Sequence, residues 1–459
     1  MIMEIKPFRA FRFDADVVGV VGNCISPPYD VISDEEQQQL YEKSECNIVR
    51  IIKGKTIASD DSSSNQYTRA ADYLNSWIEK GILKQDSAKA IYAYVQDFEI
   101  AGRCFQRNSF IALAKLEEFG KNVRPHEQTF DKPRIDRLNL KRATIADLEL
   151  VFMLYEDQNK IADTIIEKAA GSTSSPPRAG PAVSAVEPSR GSRKPLIDFV
   201  DEQDVRHRLF AIAPKKDIEQ IARMMKDKSC IIADGHHRYE TGLIYSKESA
   251  NPAARYQMMA FSNFCQEGLV ILATHRVVGN LENFSIKKLI AEIRENFEIT
   301  RYPFDSDRNK NQAGQKMLAQ MKVEHNNDKN AFGIYGGNNA FYVTVLKDKR
   351  TIESISPNTS RACKSLDVSV LHKLILEKLL GIDEKKLASG SNIVYIKDTG
   401  DAIDESIAKV DKGQSQAAFF LNPVKIQQLR VVTEAGERMP QKSTYFYPKM
   451  YSGLTINKL

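Results

Sequence analysis

Alternating helical and strand-like patterns along the chain predict a mixed α/β protein. Apolar residues recur at helical spacing over residues 67–80, 217–226, 239–246, 284–297 and 368–380. Short apolar runs rich in β-branched and aromatic residues predict strands at 90–100, 109–116, 229–233, 340–346, 392–396 and 417–421. The order of these elements is mixed and does not form a regular β-α-β series. We therefore expect an α+β arrangement with more than one core.

One break in composition divides the chain into regions. Residues 171–195 are rich in Ser, Pro, Gly and Ala and have no apolar periodicity, which predicts a flexible loop. The loop separates an N-terminal α/β region, residues 1–170, from a region at 196–280 that we expect to pack with it. Residues 281–459 are predicted to form a C-terminal α/β region.

Composition and charge narrow the classes of partner. Of the 459 residues, 65 are Lys or Arg and 60 are Asp or Glu, and the small excess of positive charge is not concentrated in a tail. We therefore expect no nucleic-acid partner. The six cysteines contain no C-x-x-C pair, which argues against a zinc knuckle or a disulfide framework. No apolar window is long enough for a membrane span, so we expect a cytoplasmic protein without a membrane partner.

The best candidate for a functional site is the segment Asp234-Gly235-His236-His237-Arg238, which follows an apolar strand and precedes a helix. The chain has neither a G-x-G-x-x-G nor a G-x-x-x-x-G-K-[ST] fingerprint, so phosphate chemistry has to use another device. Free backbone N–H groups at a helix N-terminus favour anions, Gly235 allows close approach, and Arg238 can donate to phosphate oxygens. Asp234 can hold a divalent metal or orient a hydroxyl, and the histidines can donate to phosphoryl oxygens.

Two other interpretations of this segment stay open. In the first, it is a polar turn in which Asp234 caps the helix, Gly235 supplies a positive φ and the histidines are solvated. In the second, His236 and His237 bind zinc or iron with the nearby aspartate. Adjacent histidines point apart, and no further histidine follows at helical spacing.

Several blocks resemble a known family. The segment DGHHRYE resembles the phosphate-binding box of the ParB and sulfiredoxin-like fold, in the form found in the free serine kinases of archaea, which use ADP as phosphoryl donor. Residues 125–128, PHEQ, and residues 439–444, MPQKST, resemble two further segments of those kinases. Over its whole length the chain resembles a bacterial and archaeal family catalogued as a domain of unknown function, through the blocks PFRAFRFD, SPPYDVIS, PHEQT, DRLNLKRAT, ADGHHRYET and MPQKSTYFYPK.

The resemblance implies a ParB/sulfiredoxin-like phosphate-binding core with additional α/β domains. It also implies a phosphotransferase that converts free L-serine to O-phospho-L-serine and feeds serine and cysteine metabolism, with Mg²⁺ and with ATP, ADP or pyrophosphate as donor. The implied roles are as follows: catalytic, Glu127 as the base and Asp234; metal-binding, Asp234; donor-binding, Gly235, His236, His237 and Arg238; substrate-binding, His126, Ser443 and Thr444.

Two alternative functions use the same pocket. A ParB-like nucleotide-binding regulatory protein would carry a helix-turn-helix with a basic recognition helix, and we find no such element in the sequence. A nucleotide hydrolase would use water in place of the serine hydroxyl. The residues of the segment alone do not separate this hydrolase from the kinase.

Overall fold

A computed structural model describes residues 3–120, 122–127, 131–171, 194–353 and 359–459. Residues 172–193, nearly all of the predicted loop, lie outside the described residues, so that prediction stays a prediction. The chain forms two compact units. Unit 1 comprises Met1–Pro125, Thr129–Val270 and Pro448–Leu459, and unit 2 comprises His126–Gln128 and Ile271–Tyr447. Unit 2 is therefore inserted in the sequence of unit 1.

Unit 1 is built on a sheet that has nine strands among the described residues, in the order β6-β11-β8-β12-β5-β4-β10-β9, with β1 paired to β5. Two small pairs, β2 with β3 and β7 with β21, complete its strands. The strands are β1 (Ile5–Lys6), β2 (Phe11–Phe13), β3 (Leu83–Gln85), β4 (Ile91–Ile100), β5 (Arg103–Lys115), β6 (Val123–Pro125), β7 (Ala146–Asp147), β8 (Val151–Tyr155), β9 (Ile197–Val200), β10 (Arg206–Ile212), β11 (Cys230–Asp234), β12 (Tyr256–Asn263) and β21 (Asn457–Lys458).

Strands β4 and β5 form a long hairpin whose turn residues favour this fold locally. Strands β4 and β5 pair antiparallel, and the turn between them consists of Ala101 and Gly102, both with positive φ. Two positive φ values match the right-handed twist of paired strands. Apolar side chains from β4, β5, β8 and β12 form the core together with residues of helices α6 and α7, such as Ile166 and Ile221.

The helices of unit 1 place the candidate loop. Helix α8 starts directly after β11 and packs against α5, which in turn packs against α4. The helices are α1 (Ala15–Val18), α2 (Asp34–Lys43), α3 (Val49–Ile52), α4 (Gln66–Glu79), α5 (Asp131–Thr144), α6 (Ile161–Ala170), α7 (Lys215–Met225) and α8 (His236–Glu248), with 3₁₀ turns at Val21–Cys24 and Pro252–Arg255.

Unit 2 contains an antiparallel sheet that has six strands among the described residues, in the order β15-β17-β16-β19-β14-β18. Its core includes Phe341 of β17 and Met317 of α10. The strands are β13 (Val270–Leu272), β14 (Thr274–Val278), β15 (Phe297–Pro303), β16 (Ala331–Tyr335), β17 (Ala340–Leu346), β18 (Ile393–Lys397), β19 (Ala417–Leu421) and β20 (Tyr445–Tyr447).

The helices of unit 2 include a long one, α10, that packs on β15, β16 and β17. Within the described residues, every helix of the chain is too short or too polar to cross a membrane. The helices are α9 (Ile286–Ile293), α10 (Asp307–Asn326), α11 (Arg350–Glu353), α12 (Arg361–Lys364), α13 (Asp367–Val370), α14 (Glu384–Ser389), α15 (Ala402–Asp411) and α16 (Ile426–Glu434), with a π-helical segment at Leu371–Glu377.

The predicted mixed α/β class is confirmed, and most predicted elements lie within a few residues of their observed positions. Three differ in a way that has a physical reason. Helix α8 begins at His236 and not at residue 239, because Gly235 turns the chain directly into the helix. Helix α9 ends at Ile293, since Phe297 already pairs with β17. The helix predicted over 368–380 is a short α-helix followed by the π-helical segment.

Candidate functional site

The candidate loop lies at the junction of β11 and α8 in unit 1. Gly235 is the N-cap of α8 and has a φ of 85°, a conformation that favours glycine. Its N–H donates to Oδ1 of Asp234 over 2.7 Å, and its carbonyl accepts the first helical hydrogen bond from Tyr239. The first turn of α8 therefore begins with His236, His237 and Arg238, which presents the N-terminal N–H groups at the loop.

Asp234 forms ion pairs with two basic side chains at this loop. Its Oδ2 accepts from Nζ of Lys449 over 2.8 Å, and its Oδ1 lies 3.6 Å from Nη2 of Arg238. Burial alone would raise the pKa of the Asp234 carboxyl, but the charges of Lys449 and Arg238 outweigh burial and hold the pKa well below its usual range. Asp234 is therefore ionised at neutral pH.

Arg238 is buried and is already engaged in the fold. Its Nη1 donates to the carbonyl of Leu150, and the side chain is 7% exposed. Its Nε has no hydrogen-bond partner among the described residues. A Cβ added at Gly235 would lie 3.0 Å from that Nε and 3.3 Å from Cα of Val151, so the guanidinium packs closely against the glycine. An orphaned cationic donor facing a glycine at a helix N-terminus fits an anionic ligand.

Burial also lowers the pKa of the Arg238 guanidinium, but the carboxylates of Glu149 and Asp234 outweigh it and raise the pKa above its ordinary value. Arg238 is therefore a permanent cation. His236 is buried, and its charge when protonated also favours the ionised form of Asp234. The solvated histidines of the turn interpretation do not describe His236.

Lys449 contacts this loop through Asp234, and the sequence analysis did not predict this contact. It lies in the block MPQKSTYFYPK, at the start of the segment Pro448–Leu459 that belongs to unit 1. Its side chain is 14% exposed. The block pointed to a conspicuous segment that ends on a lysine, but no sequence pattern connects that lysine with Asp234.

The predicted base, Glu127, lies in unit 2. Its Oε1 accepts from the backbone N–H of Lys442 over 3.0 Å, and its backbone pairs with Met439. The same segment brings Nε2 of His126 within 2.8 Å of Oγ1 of Thr444. The structure thus brings together His126, Glu127 and Thr444, three of the residues predicted for substrate binding and proton transfer.

The rest of this cluster comes from the segment Pro440–Thr444 and from β14. Lys442 has a φ of 55°, and Oγ of Ser443 donates to the carbonyl of Pro440. Arg276 is 1% exposed, and its Nη2 donates to the carbonyl of Lys442 over 2.9 Å. Burial lowers the pKa of Arg276 to about 10, although the charges of Tyr395 and Glu127 act to raise it. The Lys442 peptide thus connects a buried cation with the Glu127 carboxylate.

The residues at Asp234 do not fit a resident metal ion. Both carboxylate oxygens are engaged, one by the Gly235 N–H and the other by the Lys449 ammonium. Within the described residues, no group of three His, Cys, Asp or Glu side chains could hold a metal ion. A Mg²⁺ at Asp234 would compete with Lys449 for the same oxygen, and a metal bound by one carboxylate alone is weakly held.

The ion pairs of Asp234 predict a specific dependence of stability on pH. A carboxylate whose pKa is lowered in the folded state contributes stability above its unfolded pKa, and this contribution is lost as the pH falls through the folded value. We expect the free energy of unfolding lost in Asp234→Asn to be constant from pH 7 to about pH 5 and to shrink only below about pH 4. Denaturant titrations of both proteins measure this difference in the free energy of unfolding. Fluorescence of Trp77, the single tryptophan, reports the unfolding of unit 1.

The matched control for this measurement is Asp198→Asn, which removes a carboxylate from an exposed pair with Arg206 in the same unit. Its effect should be small at every pH. An Asp234→Asn difference that disappears near neutral pH would contradict the lowered pKa.

Comparison with known proteins gives a family and distant structural likenesses. A family model described as "Protein of unknown function (DUF1015)" matches residues 5–369 of the 459, which confirms the family resemblance of the sequence blocks. No curated protein matches the chain.

Solved structures similar to this chain include a free serine kinase in complex with AMP, with 12% identity over 71% of this chain and 83% of that one and a TM-score of 0.32. Others are a conserved hypothetical protein from Pyrococcus furiosus, with 12% identity, 72% and 89% coverage and a TM-score of 0.30, and SbnI with C-terminal truncation from Staphylococcus aureus, with 8% identity, 76% and 87% coverage and a TM-score of 0.32. These identities and TM-scores are too low to transfer an activity to this chain.

Proposed function

We propose that this chain, which belongs to the family described as protein of unknown function (DUF1015), is a kinase that phosphorylates free L-serine to O-phospho-L-serine. The observation that carries the proposal is the charge at the N-terminus of α8. Two cations, Lys449 and Arg238, lie within 3.6 Å of the Asp234 carboxylate beside this helix N-terminus. Such a helix N-terminus favours a phosphate group.

In this proposal the loop of Gly235 to Arg238 binds the terminal phosphates of the donor. Two sets of donors support that role: the backbone N–H groups in the first turn of α8, and the Nε of Arg238, which has no hydrogen-bond partner among the described residues. The donor is ATP, ADP or pyrophosphate.

Glu127 is the proposed base. Its carboxylate is fixed through one oxygen by the Lys442 N–H, so the other oxygen can take a proton from a bound hydroxyl. The hydroxyls of Ser443 and Thr444 and the imidazole of His126 are the proposed contacts of the substrate. The pairing of His126 with Thr444 supports a preformed arrangement.

The proposed reaction balances as follows. The serine hydroxyl oxygen forms a bond to the terminal phosphorus of the donor, and the bond from that phosphorus to its bridging oxygen breaks. The hydroxyl proton goes to Glu127, and the bridging oxygen leaves with ADP, AMP or phosphate, according to the donor. Positioning and neutralisation of charge supply most of the rate in such transfers.

The test is to incubate the purified protein with L-serine and, separately, with ATP, ADP or pyrophosphate. We expect mass spectrometry to detect phosphoserine with at least one of these donors. No phosphoserine should form when L-serine is left out. Donor hydrolysis that does not depend on serine would favour the hydrolase. Tight donor binding without any turnover would favour the ParB-like regulatory protein, and either result would remove the kinase.

A further inference from the structure

Lys449 occupies a defined position at the loop. Its ammonium lies 2.8 Å from Oδ2 of Asp234, and its side chain is 14% exposed. A lysine ammonium carries three N–H donors on a compact charge, so it can bridge a carboxylate oxygen and a phosphoryl oxygen. The pair with Asp234 therefore orients the ammonium, and Arg238 places a second cation 3.6 Å from the same carboxylate.

The backbone that carries Lys449 is fixed by buried donors. Nη2 of Arg107, a side chain with no exposed surface, donates to the carbonyl of Pro448. Nε2 of Gln96 donates to the carbonyl of Lys449 over 2.9 Å, and Oε1 of Gln96 accepts from Nε of Arg107 over 3.0 Å. Two successive carbonyls are thus held by one buried pair of side chains, and such anchoring positions the lysine before any ligand binds.

The position of this lysine is the one in which a metal ion was expected. A Mg²⁺ bound by Asp234 would take Oδ2, since Oδ1 accepts from the Gly235 N–H. In the structure the ammonium of Lys449 lies at that oxygen. The Nε of Arg238, on a side chain that is 7% exposed, packs against Gly235 and has no hydrogen-bond partner among the described residues. Asp234 thus holds the Lys449 cation at this loop, and Arg238 of the same loop has a buried donor without a hydrogen-bond partner among the described residues.

We infer that Lys449 is a phosphate-binding residue of this loop and that it takes the role expected for Mg²⁺ at Asp234, whose own role is to orient the lysine. The inference deepens the proposed function and rests on it for the identity of the bound group as the donor's terminal phosphates. It requires that the loop bind a condensed phosphate without a divalent metal.

The test measures binding of inorganic pyrophosphate by calorimetry in the presence of EDTA. We expect the wild type to bind pyrophosphate under these conditions and Lys449→Met to lose at least about tenfold in affinity, since one hydrogen bond from a charged group is removed. Lys449→Arg keeps the charge and should stay within severalfold of the wild type. The matched control is Lys228→Met, which removes a lysine 3.7 Å from the buried Asp157 in the same unit and should leave affinity unchanged.

Two results would overturn the inference: a wild type that does not bind pyrophosphate in EDTA, or a Lys449→Met protein that binds as tightly as the wild type. If Lys449→Met does not fold, labelling of lysines in the wild type decides. Pyrophosphate in EDTA should slow the acetylation of Lys449, seen by mass spectrometry, and not that of Lys228. Equal labelling of Lys449 with and without pyrophosphate would count against it.

The outcome is independent of the phosphoserine assay. Lys449-dependent binding of pyrophosphate without formation of phosphoserine removes the kinase and keeps the phosphate site. Phosphoserine formation that survives in Lys449→Met with unchanged donor affinity keeps the kinase and removes the role of Lys449.

Discussion

Replacement of Glu127 by glutamine is expected to lower kcat about a hundredfold or more while the affinity for the phosphoryl donor stays nearly unchanged. The amide oxygen of glutamine can still accept from the Lys442 N–H, so the position of the side chain is preserved. The ability to take a proton from the serine hydroxyl is lost. A base acts in the transition state, so its removal lowers kcat and kcat/KM together.

Steady-state formation of phosphoserine and calorimetric donor binding measure the two quantities. Glu437→Gln is the matched control, because Oε1 of Glu437 also accepts a backbone N–H, that of Ser360, in the same unit. Its kcat should equal that of the wild type. If Glu127→Gln kept a kcat within a few fold of the wild type, Glu127 would not be the base.

Replacement of Arg107 by methionine is expected to lower the free energy of unfolding of unit 1 by about 3 kcal/mol. The change removes the donor to Oε1 of Gln96 and to the carbonyl of Pro448, both buried, and the guanidinium that lies 4.9 Å from the centre of the Phe152 ring. Burial lowers the pKa of Arg107 to about 10, although Tyr94 and Asp234 favour its charged form, so the side chain remains a cation at neutral pH.

Denaturant titration followed by Trp77 fluorescence measures this loss, since Trp77 is buried against Phe13 in unit 1. The control is Arg206→Met, which removes an arginine of the same sheet from an exposed pair with Asp198 and should cost under about 1 kcal/mol. Equal losses in the two variants would show that the buried network of Arg107 does not stabilise the fold. A stable Arg107→Met protein would also be expected to bind pyrophosphate less tightly, through a misplaced Lys449.

The sequence predicted the loop from Asp234 to Arg238 because all of its signals are local. An apolar strand, a glycine and a helix follow one another within a few residues, and each has a known effect on the backbone. The start of α8 was misplaced for an equally local reason. The helix was expected to begin after Arg238, whereas Gly235 is its N-cap and has a positive φ.

Lys449 could not be found in this way, because it lies 215 residues from Asp234 in sequence and shares no periodic pattern with it. The same holds for the bond from Arg107 to Pro448, which joins residues 341 positions apart. A single sequence contains no signal for a polar contact of this kind. Arg276 also depends on distant contacts, since its connection to Glu127 runs through the backbone of Lys442.

The order in which the ribosome makes the chain gives the insertion of unit 2 a consequence for biosynthesis. Domains generally fold as units during translation, from the N-terminus onward. Unit 1 takes its segment Pro448–Leu459 from beyond unit 2, and Asn457 of that segment pairs with Asp147 in β7. While unit 2 is being translated, unit 1 still lacks that strand and the lysine that pairs with Asp234. A nascent chain therefore acquires the ion pair of Lys449 with Asp234, and with it the proposed anion site, only after unit 2 has been synthesised.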